Sequence, residues 1–198
     1  RYIARYLNFC GYHSEVNMLD ELITTRVTSH IPLRNVAKSI DIDGVINAIK
    51  LANDTLISAG KTRPKIGVAA LNPHAGDNGN FGTEEIDILA PAIEMARGLQ
   101  IDVDGPWPSD TVFLRGRDGK LDAVVTMYHD QGQIAMKMMG FDRGVTIAAG
   151  LPVPVATPAH GTAFDIAGKG VANLNATRKA FDILCQMGVN FRRSRIAA

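Results

Sequence analysis

The chain has 198 residues, 46% of them hydrophobic and 21% charged, which is enough apolar material for one sizeable core. Its 21 Lys and Arg against 20 Asp and Glu give a formal charge of +1 with the signs mixed along the sequence, so neither the basic stripe of a nucleic-acid binder nor a charged membrane-binding face is present. Cys10 and Cys185 stand in no metal or disulfide spacing and no apolar run reaches membrane-spanning length, so the expectation is a cytoplasmic globular protein that handles a small molecule.

In chain order, the first clear element starts at Asp43. Val45, Ile46, Ala48, Ile49, Ala52, Leu56 and Ile57 recur at three and four residues and Gly60 follows, which predicts an amphipathic helix with a glycine C-terminal cap. Lys65 to Leu71 (KIGVAAL), bounded by Pro64 and by Asn72-Pro73, predicts a buried strand. Thr83 is placed to cap a helix that carries Glu84 and Glu85 in its first turn, where the helix dipole favours anions, and that runs to Gly98. A second strand is expected at Asp122 to Tyr128, a short helix around Ile134 to Met139 and a third strand near Val145 to Ala149. The last helix, about Ala176 to Met187, puts Ala180, Phe181, Ile183 and Leu184 on one side and ends at Gly188. Strands alternating with helices imply an α/β fold with a largely parallel sheet, whose ligands gather beyond the strand C-termini. No repeat or linker divides the chain.

Three histidines fall in such places: His30 in TSHIPL, His74 in LNPHAG and His129 in MYHDQG. Converging at one sheet edge, they would form an open site for a divalent metal (Zn, Mg, Mn or Co); read singly, each is more often a solvated or hydrogen-bonded loop histidine. Asp110 and Asp130 are candidates for carboxylates that orient an imidazole, or else a turn carboxylate and a helix cap. Gly76, Gly79 and Gly82 in NPHAGDNGNFGTEE would let backbone amides approach an anion, although the loop is neither GxGxxG nor a Walker A motif. HGTAFDIAGKGVAN, from His160 to Asn173, is too irregular for a helix stripe or a strand alternation.

GYHSE, SHIPL, LNPHAGDNGNFGTEE, GPWPSDTVF, MYHDQG and HGTAFDIAGKG follow one another in the order seen in the 4-hydroxythreonine-4-phosphate dehydrogenase family of pyridoxal phosphate biosynthesis, which the chain resembles across nearly its whole length. The resemblance implies an isocitrate/isopropylmalate dehydrogenase-like two-lobed fold and an NAD-dependent oxidation of a secondary alcohol followed by decarboxylation. It also implies a homodimer whose site lies at the subunit interface. It carries the metal ligands onto His30, His74 and His129, and substrate contacts onto His13, Ser14 and Lys137, with Lys137 able to neutralise substrate or move a proton. HGTAFDIAGKGVAN is similar to the adenosine loop of the wider superfamily. That likeness implies cofactor contacts by His160, Gly161, Thr162, Ala163, Asp165 and Asn173; the Asp165 carboxylate would accept the ribose hydroxyls and repel a 2′-phosphate, favouring NAD over NADP.

Relative to the family, residues 1–198 read as the C-terminal portion of the two-lobed enzyme, with the N-terminal part missing and a possible gap near Glu15-Val16, where the interval from His13 to His30 is short. The family's substrate-phosphate asparagine and arginine are replaced by Thr146 and Val155. The expected substrate is therefore 4-phosphohydroxy-L-threonine or a relative of it, with a sugar-acid phosphate or an aromatic cis-dihydrodiol as alternatives. A non-redox metal-dependent lyase and a non-catalytic binding protein are the readings from other classes.

Overall fold

A computed structural model describes residues 2–20 and 22–196. A short helix α1 (Tyr2–Tyr6) leads into two strands, β1 (Ser14–Leu19) and β2 (Leu22–Arg26), and then to α2 (Ile42–Ser58). Asp41 caps α2, its carboxylate accepting the Gly44 amide at 2.7 Å, so the helix begins before the expected Asp43. Gly60, at φ 101°, follows the helix as expected, since only glycine adopts that conformation without strain. Val45, Ala48, Ile49, Ala52 and Leu56 are buried along one stripe of α2.

Next come β3 (Ile66–Ala69), α3 (Ala90–Gly98), β4 (Val103–Trp107), α4 (Ser109–Arg117), β5 (Ala123–Thr126), α5 (His129–Gly140), β6 (Val145–Ala149), β7 (Ala156–Pro158) and α6 (Asn175–Ile196). Three helix expectations need correction. Thr83 makes no side-chain cap; a wider π turn over Glu85–Leu89 precedes α3. α5 starts at His129, not Ile134, because Gly132 lets the helix lie against the sheet, where an added Cβ would stand 3.3 Å from the Thr126 hydroxyl. Gly188 sits inside α6, as an interior glycine costs only about 1 kcal/mol.

One seven-stranded sheet has the order β4-β3-β5-β2-β1-β6-β7. Its first four strands are parallel, while β1, β6 and β7 extend it antiparallel. The larger core cluster joins α2, α3 and α6 to the sheet through Val45, Ile49, Ile93, Ala180 and others. The second core cluster gathers Val112 and Phe113 of α4 and Met136 of α5 over Leu22, Ala69 and Val124. A fully buried Ile23, Ile66 or Ile147 contributes about 1.5–3 kcal/mol each. Among the described residues no helix is long and apolar enough to cross a membrane.

The register decides where the site lies. β1 runs against β2 and β6, so Ser14 pairs with Ala149 and Asn17 with Thr24. The start of β1 therefore shares one sheet edge with the C-terminal ends of β2, β3, β4, β5 and β6. Glu15 and Val16 lie within β1 itself.

Candidate active site at the strand edge

His30 follows β2 and His129 opens α5 directly after β5, so two adjacent parallel strands deliver two imidazoles to one place. Their ring centroids are 5.4 Å apart. Each ring is held at its Nδ1: His30 meets Ser29 Oγ at 2.9 Å and His129 meets Asp130 Oδ1 at 2.6 Å. With Nδ1 engaged, Nε2 is the nitrogen left to coordinate an external group, the arrangement typical of metal-bound histidines.

His74 lies beyond β3 in a left-handed turn. His74, Ala75, Asp77 and Asn78 have φ of 53°, 54°, 43° and 55°, with Gly76 at 78° between them. Left-handed backbone costs a residue with a side chain roughly 1–2 kcal/mol, so something must hold the turn. Glu85, 3% exposed, does so. One carboxylate oxygen accepts the Leu71 and Asn72 amides, both at 2.8 Å, and the other accepts the Asn72 side chain at 2.9 Å. Glu85 stands in the first turn of the helical segment Glu85–Leu89, as expected, and its carboxylate is in addition the anchor of the loop. A Cβ on Gly76 would stand 2.8 Å from that carboxylate, so the loop needs a glycine there. The His74 ring contacts Phe81 at 6.1 Å, and among the described residues no group of three or more metal-ligating side chains is assembled.

Gln131 ties two strand ends and a helix start together. Its side chain accepts the Met127 amide at 2.7 Å and donates to the Ala70 carbonyl at 2.8 Å and to Ser109 Oγ at 2.9 Å. Ser109 in turn donates to the Ala70 carbonyl at 2.6 Å. The ends of β3 and β5 and the start of α4 are thereby fixed relative to one another. Asp110, exposed in the first turn of α4, meets no imidazole among the described residues. His13 and Ser14 stand at the start of β1 on the same edge, with His13 Nδ1 3.0 Å from the Gly11 carbonyl. Lys137 lies exposed two turns along α5 from His129.

The segment from His160 to Asn173 folds around a cavity of about 670 Å³, within the range of small-molecule sites. His160, Gly161, Thr162, Ala163 and Asn173 line it, whereas Asp165 sits exposed on the neighbouring turn Phe164–Ile166. Because β7 runs back along β6, this cavity is at the opposite end of β6 from the histidines. Helix α5 bridges the two: its 12 residues span about 18 Å from His129 toward Asp142, which also lines the cavity.

Residues 2–184 match the family described as pyridoxal phosphate biosynthetic protein PdxA. The chain belongs to the PdxA family. It is 48% identical over 170 residues to the 4-hydroxythreonine-4-phosphate dehydrogenase of Beijerinckia indica, which covers 86% of this chain and 50% of the relative. It is 45% identical over 185 residues to the D-threonate 4-phosphate dehydrogenase of Pectobacterium atrosepticum, covering 93% and 56%. The crystal structure of 4-hydroxythreonine-4-phosphate dehydrogenase from Klebsiella pneumoniae superimposes with a TM-score of 0.76 at 42% identity, covering 90% of this chain and 53% of that one. A β-decarboxylating dehydrogenase from Thermococcus kodakarensis, 18% identical with a TM-score of 0.55 over 75% of this chain and 44% of its own, shares the fold. The chain spans about half the length of the curated relatives it matches.

Within this PdxA chain, sequence reading misses Ser29, Glu85 and Gln131 as parts of the site. Gln131 was legible in principle, since a polar residue two positions after a strand-terminal histidine is placed to return to the strand end.

Proposed function

We propose that the protein to which this chain belongs is a metal- and NAD-dependent dehydrogenase of a phosphorylated hydroxyacid, with decarboxylation following oxidation. The observation that carries this reading is the His30–His129 pair, two imidazoles 5.4 Å apart at a strand edge with Nδ1 of each already engaged. The donor set suits a divalent ion, with His74 in the adjoining loop as the third ligand. Such an ion would supply Lewis-acid polarisation of the substrate hydroxyl, and a nicotinamide dinucleotide would supply the hydride acceptor.

The chain's own residues do the rest. Ser29 and Asp130 hold the ring orientations, while His13 and Ser14 orient substrate from the same edge. Lys137 offsets substrate charge or carries a proton, and Asp110 stands by at the start of α4. His160 and Asn173 hold adenine in their cavity, and Asp165 accepts the ribose hydroxyls, so NAD is preferred to NADP. An extended dinucleotide lying along α5 would join the cavity to the histidine edge. The relatives are named for two different hydroxyacid 4-phosphates, which supports that substrate class.

Ile134 and Met138 on α5, 64% and 84% exposed, suit the interface of a homodimer. Two exposed free cysteines suit a cytoplasmic setting. The full-length protein, supplied with divalent metal, NAD and the two hydroxyacid 4-phosphates, is expected to form NADH with at least one. No NADH with either substrate and any of the four metals would contradict the reading. Calorimetry should also show Asp165→Ala weakening NAD and narrowing its margin over NADP; unchanged affinities for both would overturn the ribose assignment.

A further inference from the structure

Arg26 closes β2 and is 3% exposed; with Glu85 it is one of two charged side chains buried among the described residues. A guanidinium taken out of water is costly unless its donors are matched. Here two of its three nitrogens are: Nε donates to Ser29 Oγ at 2.9 Å and Nη2 to the Glu15 carboxylate. Nη1 has no partner among the described residues. Among the described residues the fully enclosed nitrogens without a partner are Trp107 Nε1 and Arg115 Nε, so Arg26 Nη1 retains some accessible surface.

Glu15, with its side chain 49% exposed, offsets the charge and fixes the fork while leaving Nη1 uncommitted. The guanidinium is also coupled to the histidine pair, since Ser29 Oγ, which accepts from Nε, is the atom that meets His30 Nδ1 at 2.9 Å. Along the same row of the sheet, Ala148 pairs with Glu15 and donates its amide to the Val155 carbonyl at 2.9 Å. Val155 is apolar, so of Val155, Ala148 and Arg26 only Arg26 offers this row a cation.

We propose that Arg26 is the anion-recognition residue of this site, its Nη1 donating to a carboxylate or phosphate oxygen of the substrate. The proposal rests on the reading of the site as that of a hydroxyacid dehydrogenase and names the group that selects an anionic substrate there. A planar, permanently charged fork, held by Glu15 and Ser29, suits either oxyanion.

The test is calorimetric titration of the full-length protein with two probes, inorganic phosphate and glycolate, comparing wild type, Arg26→Lys and Arg26→Met/Glu15→Gln, which removes the pair without stranding a charge. At least one probe should bind wild type with a Kd below about 10 mM. The same probe should bind roughly tenfold or more weakly to the double variant, and Arg26→Lys should recover only part of the loss. Loss of phosphate alone places the phosphate group at Arg26, and loss of glycolate alone places the carboxylate there. Should the double variant not fold, Arg26→Lys decides, because it keeps the charge and loses the fork and must still bind more weakly.

Binding of both probes to the variants as tightly as to wild type, or of neither to wild type, overturns the proposal. Arg26-dependent binding in a protein that forms no NADH would leave the anion site standing and sink the dehydrogenase reading. NADH formation with an unchanged KM in Arg26→Lys would do the reverse.

Discussion

At His129 a 2.6 Å contact with the carboxylate of the next residue decides which ring nitrogen faces the open edge. Orienting partners of this kind govern metal affinity by about 10–100-fold. Asp130→Ala is therefore expected to weaken Mn²⁺ or Zn²⁺ binding by the full-length protein at least tenfold by calorimetry, with the fold intact by circular dichroism; unaltered affinity would contradict the role. Asp20 illustrates a purely structural charge. Its carboxyl is held below the usual carboxylate range by the hydrogen bond and charge of Lys179, with Arg143 assisting. Native Asp20 thus binds its proton less tightly than in the unfolded chain, so its contribution is present above the unfolded value of 3.8 and is lost as pH falls through the lower native value. Asp20 is half exposed, which limits the effect to about 0.5 kcal/mol. Lys179→Met should cost that much at neutral pH and progressively less as pH falls below 3.8, measured by urea unfolding. Sequence reading names the histidines and Asp130, the partner that aims His129, but not Ser29, which aims His30, because Ser29 and Arg26 acquire meaning only when β2 is buried.

The element that depends most on a single residue is the loop from Leu71 to Glu85. Its left-handed turn stands against local preference and persists because Glu85 accepts three hydrogen bonds inside the protein. Glu85→Gln, which keeps one acceptor and turns a donor toward the Asn72 amide, should destabilise the chain by about 2 kcal/mol and displace His74. Equal denaturation midpoints for variant and wild type would show that the turn is held otherwise. Much of this architecture was legible: α2, β3, β5 and β6 followed from apolar periodicity. β1 and β2 did not, since Asn17, Thr24, Thr25 and Arg26 are buried there and break any alternation of apolar and polar residues. The start of α5 was hidden by Gly132, which reads as a loop residue and serves as the point of close contact with Thr126. Hydrophobic pattern reports where apolar side chains go, and the site is built where polar ones are buried.

Across the molecule, four parallel strands and an antiparallel extension bring His13, Ser14, Arg26, His30, His74 and His129 to one edge and the His160–Asn173 cavity to the other end of β6. The alternation of helices and strands foretold an α/β sheet, and the ordered motifs foretold the family. The antiparallel half, which sets His13 and Ser14 beside the histidines, emerged only from the pairing of β1 with β2 and β6. The account joins a metal edge and a dinucleotide cavity in one dehydrogenase, so the most direct measurement is metal-dependent NADH formation by the full-length protein. Wild type should form NADH from a hydroxyacid 4-phosphate only with divalent metal present, while a His30→Ala, His129→Ala variant should lose bound metal and the activity together. Full activity in a chelated wild type, or unchanged metal content and turnover in the double variant, would contradict the account.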